Sequence, residues 1–223
     1  MTSWPPPQTE TKTPLFVAFG SAHPCEDDRL LKREGLVGYV QFRWYETDMR
    51  KWLGTEEAHA REHVQVVLLD VLRGLEHVHY HKVVHCDVKP ENVLLGPREA
   101  HGIRRAVLAD FDLSLDQEQR RKQTVTVSMA SMSVVGPRGT PGLLTFAPEV
   151  NQGKEPTAKS DMYSFGGLAL EALYGEEAAT WKTRGEGQFW DVDGVPRLEG
   201  VAVEHELLLR LLSRVPERRP SAA

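Results

Sequence analysis

Between His85 and Leu95 the chain reads His85-Cys86-Asp87-Val88-Lys89-Pro90-Glu91-Asn92-Val93-Leu94-Leu95, with a lysine two residues and an asparagine five residues after an aspartate. A second aspartate opens Asp110-Phe111-Asp112, and Ala147-Pro148-Glu149 follows. Carboxylate and amide oxygens are hard donors of the kind magnesium prefers, and a lysine beside them adds positive charge. Such groups suit phosphoryl transfer to a hydroxyl, in which the acceptor must be oriented, its proton received and the developing negative charge neutralised. Taken singly the pieces say little, because an isolated Asp-Phe-Asp or Ala-Pro-Glu is more often a turn or a helix start than a site.

Their order carries the information. Together with Gly139-Thr140, Ser160-Asp161-Met162-Tyr163-Ser164-Phe165-Gly166 and Arg219-Pro220-Ser221, they resemble the catalytic loop, metal loop and activation-segment anchor of the eukaryotic protein kinase superfamily, over about Leu36 to Ser221. The resemblance implies an α+β, protein-kinase-like fold: a mostly helical large lobe with remnant small-lobe strands. It also implies ATP and Mg2+ as cofactors and a protein substrate with a Ser or Thr acceptor. Asp87 would accept the hydroxyl proton, Lys89 would place charge beside the moving phosphate, and Asn92 and Asp110 would ligate magnesium. Leu94 would lie under the adenine ring. Asp161 would hydrogen-bond the catalytic-loop backbone, and Glu149 and Arg219 would form a buried pair that braces the activation segment. Lys89-Pro90 and Thr140 resemble the Ser/Thr kinases rather than the tyrosine kinases. Two positions depart from the pattern. Asp112 stands where the metal loop usually has Gly, a variant that resembles plant phototropin-type kinases. Cys86 stands where many kinases carry an arginine that pairs with a phosphorylated activation loop. The stretch from Asp110 to Glu149, with Arg120-Arg121-Lys122 and Thr124, Thr126, Ser128, Ser131 and Ser133, is expected to be long and phosphorylatable.

The rest of the chain must position these groups. Its 223 residues, 40% of them hydrophobic, suffice for one good core. A net charge of -5, with basic residues dispersed, argues against nucleic-acid or anionic-membrane partners. No apolar stretch approaches a membrane span, and Met1-Thr2-Ser3-Trp4-Pro5-Pro6-Pro7 does not read as a signal peptide. Only Cys25 and Cys86 are present, so a disulfide framework is not expected and a reducing cytoplasmic setting, or a nuclear one, fits.

Residues 1–14 read as a Pro/Thr-rich tail. Leu15–Phe19 and Gly35–Phe42 read as strands, so 15–223 is expected to be a partial kinase domain, with 15–46 a remnant of the small lobe and hinge and 47–223 the large lobe. Thr47 and Asp48 are candidate caps of a short helix to Leu53. Val64, Val67, Leu68, Val71, Leu72, Leu75 and Val78 recur at helical spacing and predict a helix over 56–80. Val93-Leu94-Leu95 and Ala106-Val107-Leu108 predict a hairpin whose connection contains Gly96-Pro97 and Gly102. Helices are expected at Asp161–Tyr174, closed by Gly175, and at Val203–Ser213, with an irregular stretch at 176–200 between them. His77, His79, His81 and His85, and His59 with His63, lack a Cys or carboxylate at recognisable ligand spacing, so zinc is the weaker reading and structural roles the stronger.

A complete kinase also closes a Gly-rich loop and a strand lysine over ATP. No Gly-x-Gly-x-x-Gly occurs, and only Lys12 precedes the first expected strand. Two functional classes follow. One is a Ser/Thr kinase catalytic domain truncated at its N-terminus, with the small lobe or an upstream segment missing. The other is a pseudokinase-like protein-binding module without catalysis.

Overall fold

The computed structural model describes residues 21–23, 39–41, 44–99, 102–118, 146–175, 177–178, 190 and 202–222. The tail at 1–14, the Leu15–Phe19 strand, the five activation-segment hydroxyls and most of 176–200 lie outside them.

The elements alternate short strands with longer helices. Strands β1 (Ser21–His23) and β2 (Tyr39–Gln41) form an antiparallel pair. β2 falls within the expected Gly35–Phe42 strand, but its partner Ser-Ala-His has none of the β-branched or aromatic character by which a strand is recognised. β3 (Thr47–Asp48) leads directly into α1 (Met49–Leu53). Asp48 caps that helix, its Oδ1 accepting from the Lys51 N–H at 3.0 Å, whereas Thr47 is spent in the strand.

α2 (Arg61–Tyr80) buries Val64, Val67, Leu68, Val71, Leu75 and Val78 along one face, as the three- and four-residue spacing requires. It does not run unbroken from Glu56. A 3-10 turn, Glu56–His59, comes first, and Ala60 is extended at φ -78, ψ 110. The turn is held by Glu57, whose carboxylate binds Arg104 Nε at 3.0 Å and Arg98. This ion-paired turn sets the entry angle of α2, information that apolar periodicity does not carry.

After β4 (Val83–Val84) comes the hairpin of β5 (Val93–Arg98) and β6 (Arg104–Leu108), which β3 extends into a three-stranded antiparallel sheet in the order β3-β5-β6. Its register pairs Val93 with Leu108, Leu94 with Val107 and Leu95 with Ala106, then shifts before Arg98 pairs with Arg104. Gly96 and Pro97 therefore belong to β5 rather than to the connection. They sit at the irregularity, where a missing proline N–H and a missing side chain are tolerated. β7 (Leu115–Asp116) pairs with β4, closing a two-stranded ribbon.

α3 (Pro148–Asn151) is one turn, and α4 (Ala158–Tyr174) is the central helix. α4 starts a turn earlier than its apolar pattern suggests because Thr157 and Ser160 form a reciprocal capping box. It ends where Gly175 turns to φ 57, a left-handed value that favours glycine. Every residue from Ser160 to Leu170 is buried, so α4 is surrounded by α2 and by α5 (Ala202–Leu211) in one continuous core. Among the described residues no helix is long and apolar enough to cross a membrane.

α4 and α5 approach closely at Gly166, where an added Cβ would lie 2.9 Å from Leu211 Cβ and 3.1 Å from Leu212 Cδ2. Gly166→Ala gains about 1 kcal/mol of helix propensity. Overpacking against a backbone-proximal atom costs about 1–3 kcal/mol and wins. We expect a lower melting temperature for Gly166→Ala, and an equal or higher one would show that the interface yields.

Candidate active site

The hairpin register brings the metal-ligand candidates together. With Val93 opposite Leu108, the residues just outside the ladder are Asn92 and Ala109, and the Ala109 N–H donates to the Asn92 carbonyl at 2.9 Å. Asp110 follows immediately. Two residues well separated in sequence thus sit at the same end of one hairpin.

Asn92 closes a 3-10 turn, Pro90–Asn92, and is buried. Its Nδ2 donates twice to Asp87, to the backbone oxygen and to Oδ2, both at 2.9 Å. That fixes the amide so that Oδ1 is the atom left over, and it accepts nothing among the described residues. Lys89 Nζ donates to Asp87 Oδ2 at 2.6 Å. Asp87 Oδ2 therefore takes two donors, while Oδ1 remains the open acceptor. Asp110 is exposed, at φ 64, and its Oδ1 receives only a long 3.4 Å contact from the Asp112 N–H. Leu94 is half-buried between buried Val93 and Leu95, and by strand alternation it occupies the opposite, partly open face of β5.

The loop that carries Asp87 is held from below. Asp161 in the first turn of α4 is 1% exposed. Its Oδ2 accepts from the His85 N–H at 2.8 Å and its Oδ1 from the Cys86 N–H at 2.9 Å. These two bonds help hold Cys86 at φ 69, a left-handed conformation that costs a non-glycine residue about 1–3 kcal/mol. His79 Nε2, from the end of α2, adds a third bond to Asp161 Oδ2 at 2.9 Å.

His85 clasps the catalytic loop to the metal loop. The Asp87 N–H donates to its Nδ1 at 3.3 Å, so the ring proton sits on Nε2 and is donated to the Ala109 carbonyl at 3.0 Å. Phe111 packs against the ring at 4.7 Å between centroids. Burial pushes the imidazole below the usual histidine range, against the pull of Asp161, Asp87 and Asp110, and so keeps it neutral. His79 and His85 are thus structural hydrogen-bonding groups. Among the described residues no cluster of three or more His, Cys, Asp or Glu side chains is placed to hold a metal.

Glu149 and Arg219 meet as a bidentate pair, Nη1 to Oε1 at 2.6 Å and Nη2 to Oε2 at 2.8 Å. Arg219 also donates from Nε to the Ser213 carbonyl at 2.8 Å and lies over the Tyr163 ring at 4.8 Å. Beside the site is a cluster that no local sequence pattern announces. Arg50 of α1 joins Glu91 of the catalytic loop to Glu171 of α4. The three residues are far apart in the chain, and only the β3–β5 pairing, which sets Asp48 opposite Leu94, brings α1 over the Pro90–Asn92 turn.

The model of the protein kinase domain matches residues 39–223, and the chain belongs to that family. Relatives include serine/threonine-protein kinase PkaB of Streptomyces coelicolor, 37% identical over 134 residues, which is 58% of this chain and 29% of PkaB. The LRR receptor-like serine/threonine-protein kinase EFR of Arabidopsis thaliana is 35% identical over 114 residues, 50% of this chain and 10% of EFR. Serine/threonine-protein kinase PknA of a Nostoc species is 29% identical over 146 residues, 65% of this chain and 24% of PknA. The matched part thus spans less than a third of the length of these relatives.

Proposed function

We propose that the chain carries the large-lobe catalytic apparatus of a Ser/Thr protein kinase, which transfers the γ-phosphoryl group of ATP to a protein Ser or Thr hydroxyl. The observation that carries this reading is the Asp87 carboxylate, oriented by Lys89 and Asn92 with one oxygen left open, at the hairpin end that also presents Asp110. A scaffold has no chemical need for all four groups.

The donor set fits Mg2+. Asn92 Oδ1 and the Asp110 carboxylate are hard oxygens with no strong competing partner, and magnesium is commonly bound by one or two carboxylates plus phosphate oxygens rather than by an all-protein cage. When bound, Mg-ATP supplies the phosphoryl group and neutralises charge on the phosphates. The residues of the chain do the rest. Asp87 Oδ1 orients the acceptor hydroxyl and takes its proton as the oxygen–phosphorus bond forms and the bond to the ADP oxygen breaks. Lys89, whose ammonium rests on Asp87 Oδ2, would place positive charge beside the moving phosphate. Leu94 offers the adenine ring an apolar surface.

The second reading is a kinase-like binding module without catalysis. Calorimetric titration of the full chain with ATP separates the two. We expect weak binding that magnesium strengthens, and Asp110→Asn to remove the magnesium increment while leaving the melting temperature within a few degrees. Binding indifferent to magnesium would leave the module reading standing. Transfer to a generic Ser/Thr substrate should be poor, because positioning supplies much of the rate in such reactions. Turnover near about 1–100 per second would show that no further clamp is needed.

A further inference from the structure

Four histidines have a ring nitrogen engaged: His63 with the Glu57 carbonyl, His79 with Asp161, His85 with Asp87 and Ala109, and His205 with the Tyr174 hydroxyl. His77 and His81 differ. His77 lies in the last turn of α2 and His81 is its C-cap, and among the described residues neither ring forms a hydrogen bond or an ion pair. The His81 N–H donates to the His77 carbonyl at 3.2 Å, so the helical path still holds at His81 and sets both side chains on one face. Their ring centroids are 4.7 Å apart, with the planes tilted by 60°. His81 is exposed and His77 is half-buried, while Tyr80 meets the His81 ring edge-on at 5.2 Å.

That separation suits a shared metal ion. Imidazole nitrogens bind zinc at about 2.0–2.1 Å, which puts the centroids of two rings on one ion about 5 Å apart. The rings already stand near that distance, and no hydrogen bond has to break for each to turn a nitrogen towards a common point. Imidazole suits zinc, nickel or copper, whereas magnesium takes oxygen ligands. A cation is also favoured at this end of a helix, where the last carbonyls concentrate negative partial charge. Two neighbouring cations oppose it weakly. Lys82 is exposed and screened by solvent, and Arg73, one turn before His77, faces Asp70 at 3.8 Å.

Independently of the kinase reading, we propose that His77 and His81 form a two-histidine site for a divalent transition-metal ion of the zinc, nickel and copper class. Water, or a donor from another molecule, fills the remaining positions. The bound ion ties the last turn of α2 to its cap. At this end of the helix His79 reaches Asp161, and the chain turns through Lys82 at φ 61 into β4 and on to His85. The ion therefore stiffens the helix end that supports the Asp87 loop.

Isothermal titration with zinc chloride tests this on the full chain, purified without a histidine tag and free of nucleotide. We expect one tight site per chain. His77→Ala and His81→Ala should each weaken it at least about tenfold, the low end of what even an outer-shell partner is worth to a metal site. His77→Gln and His81→Gln, which keep a polar side chain at the surface, should do the same. Asp110→Asn and His59→Ala should leave the affinity unchanged, which separates this site from the one proposed for magnesium. Zinc should raise the melting temperature of wild type but not of the double variant, because the two rings stand one turn apart only while α2 is folded. In spectra of the chain labelled with 15N-histidine, zinc should shift the ring nitrogens of two of the nine histidines, and both signals should be missing from the double variant. Circular-dichroism melts without metal confirm that each variant is folded. Zinc affinity within about twofold of wild type in a folded single variant overturns the proposal, as does a wild-type chain that binds no zinc or a site that Asp110→Asn abolishes.

Discussion

Asp87→Asn is expected to lower phosphoryl transfer by about 10²–10⁴-fold, the contribution of a positioned general base. It is expected to leave the fold and nucleotide binding close to wild type. The amide is nearly isosteric, and its oxygen can still accept from Lys89 Nζ and Asn92 Nδ2, which now meet on Asp87 Oδ2. Missing is an oxygen basic enough to take the hydroxyl proton, together with the charge that holds Lys89 in place. Single-turnover transfer from labelled ATP, with the full chain alone over long incubations or coupled to a kinase small lobe, would show the loss, and a circular-dichroism melt would show the intact fold. Transfer at the wild-type rate would remove Asp87 from its acceptor-orienting role and favour the binding-module reading.

The grouping of these candidate residues was legible in the chain because most of them lie close together in sequence. Asp87, Lys89 and Asn92 lie within one loop, and the hairpin expected from two short apolar runs brings Asp110 back to it. The longer helices were equally legible, α2 from the spacing of its apolar face and α4 as a largely apolar run that ends at Gly175. Asp161 and the Glu149–Arg219 pair followed only from the family resemblance, because nothing in local sequence pairs residues as distant as Glu149 and Arg219. Other features could not be read because their causes are tertiary. The pause at Ala60 depends on Glu57 meeting Arg98 and Arg104 from the hairpin. The strand at Ser21–His23 forms because Tyr39–Gln41 offers it a ladder, not because of its own composition. Gly96 and Pro97, which read as loop punctuation, mark an irregularity within β5. The cluster of Arg50, Glu91 and Glu171 needs three elements folded before its charges meet.

Arg219→Met is expected to cost about 3–5 kcal/mol of folding stability at neutral pH, the usual penalty for leaving a buried charge without its partner. The Arg219 side chain is fully buried and that of Glu149 is 8% exposed, so water cannot replace the lost guanidinium. The carbonyls of Ser213 and Lys159 lose a donor as well. Burial by itself would raise the Glu149 carboxyl, but Arg219, a backbone N–H and the Ser160 hydroxyl outweigh it and hold the group below its ordinary 4.5. A carboxyl depressed in the folded state contributes stability that is present above 4.5 and is lost as pH falls through the depressed value. In Arg219→Met burial acts without the guanidinium, so the carboxyl should move up from its depressed value and the penalty of its charge should be relieved as pH falls. The two stability curves therefore converge in acid. Urea unfolding of both proteins between neutral pH and about pH 4 would measure the gap, which should be widest at pH 7. Adding Glu149→Leu to Arg219→Met should recover part of the loss, because an apolar pair carries no stranded charge. A gap independent of pH, or losses that simply add in the double variant, would mean that the pair is held by packing and backbone contacts rather than by its charges.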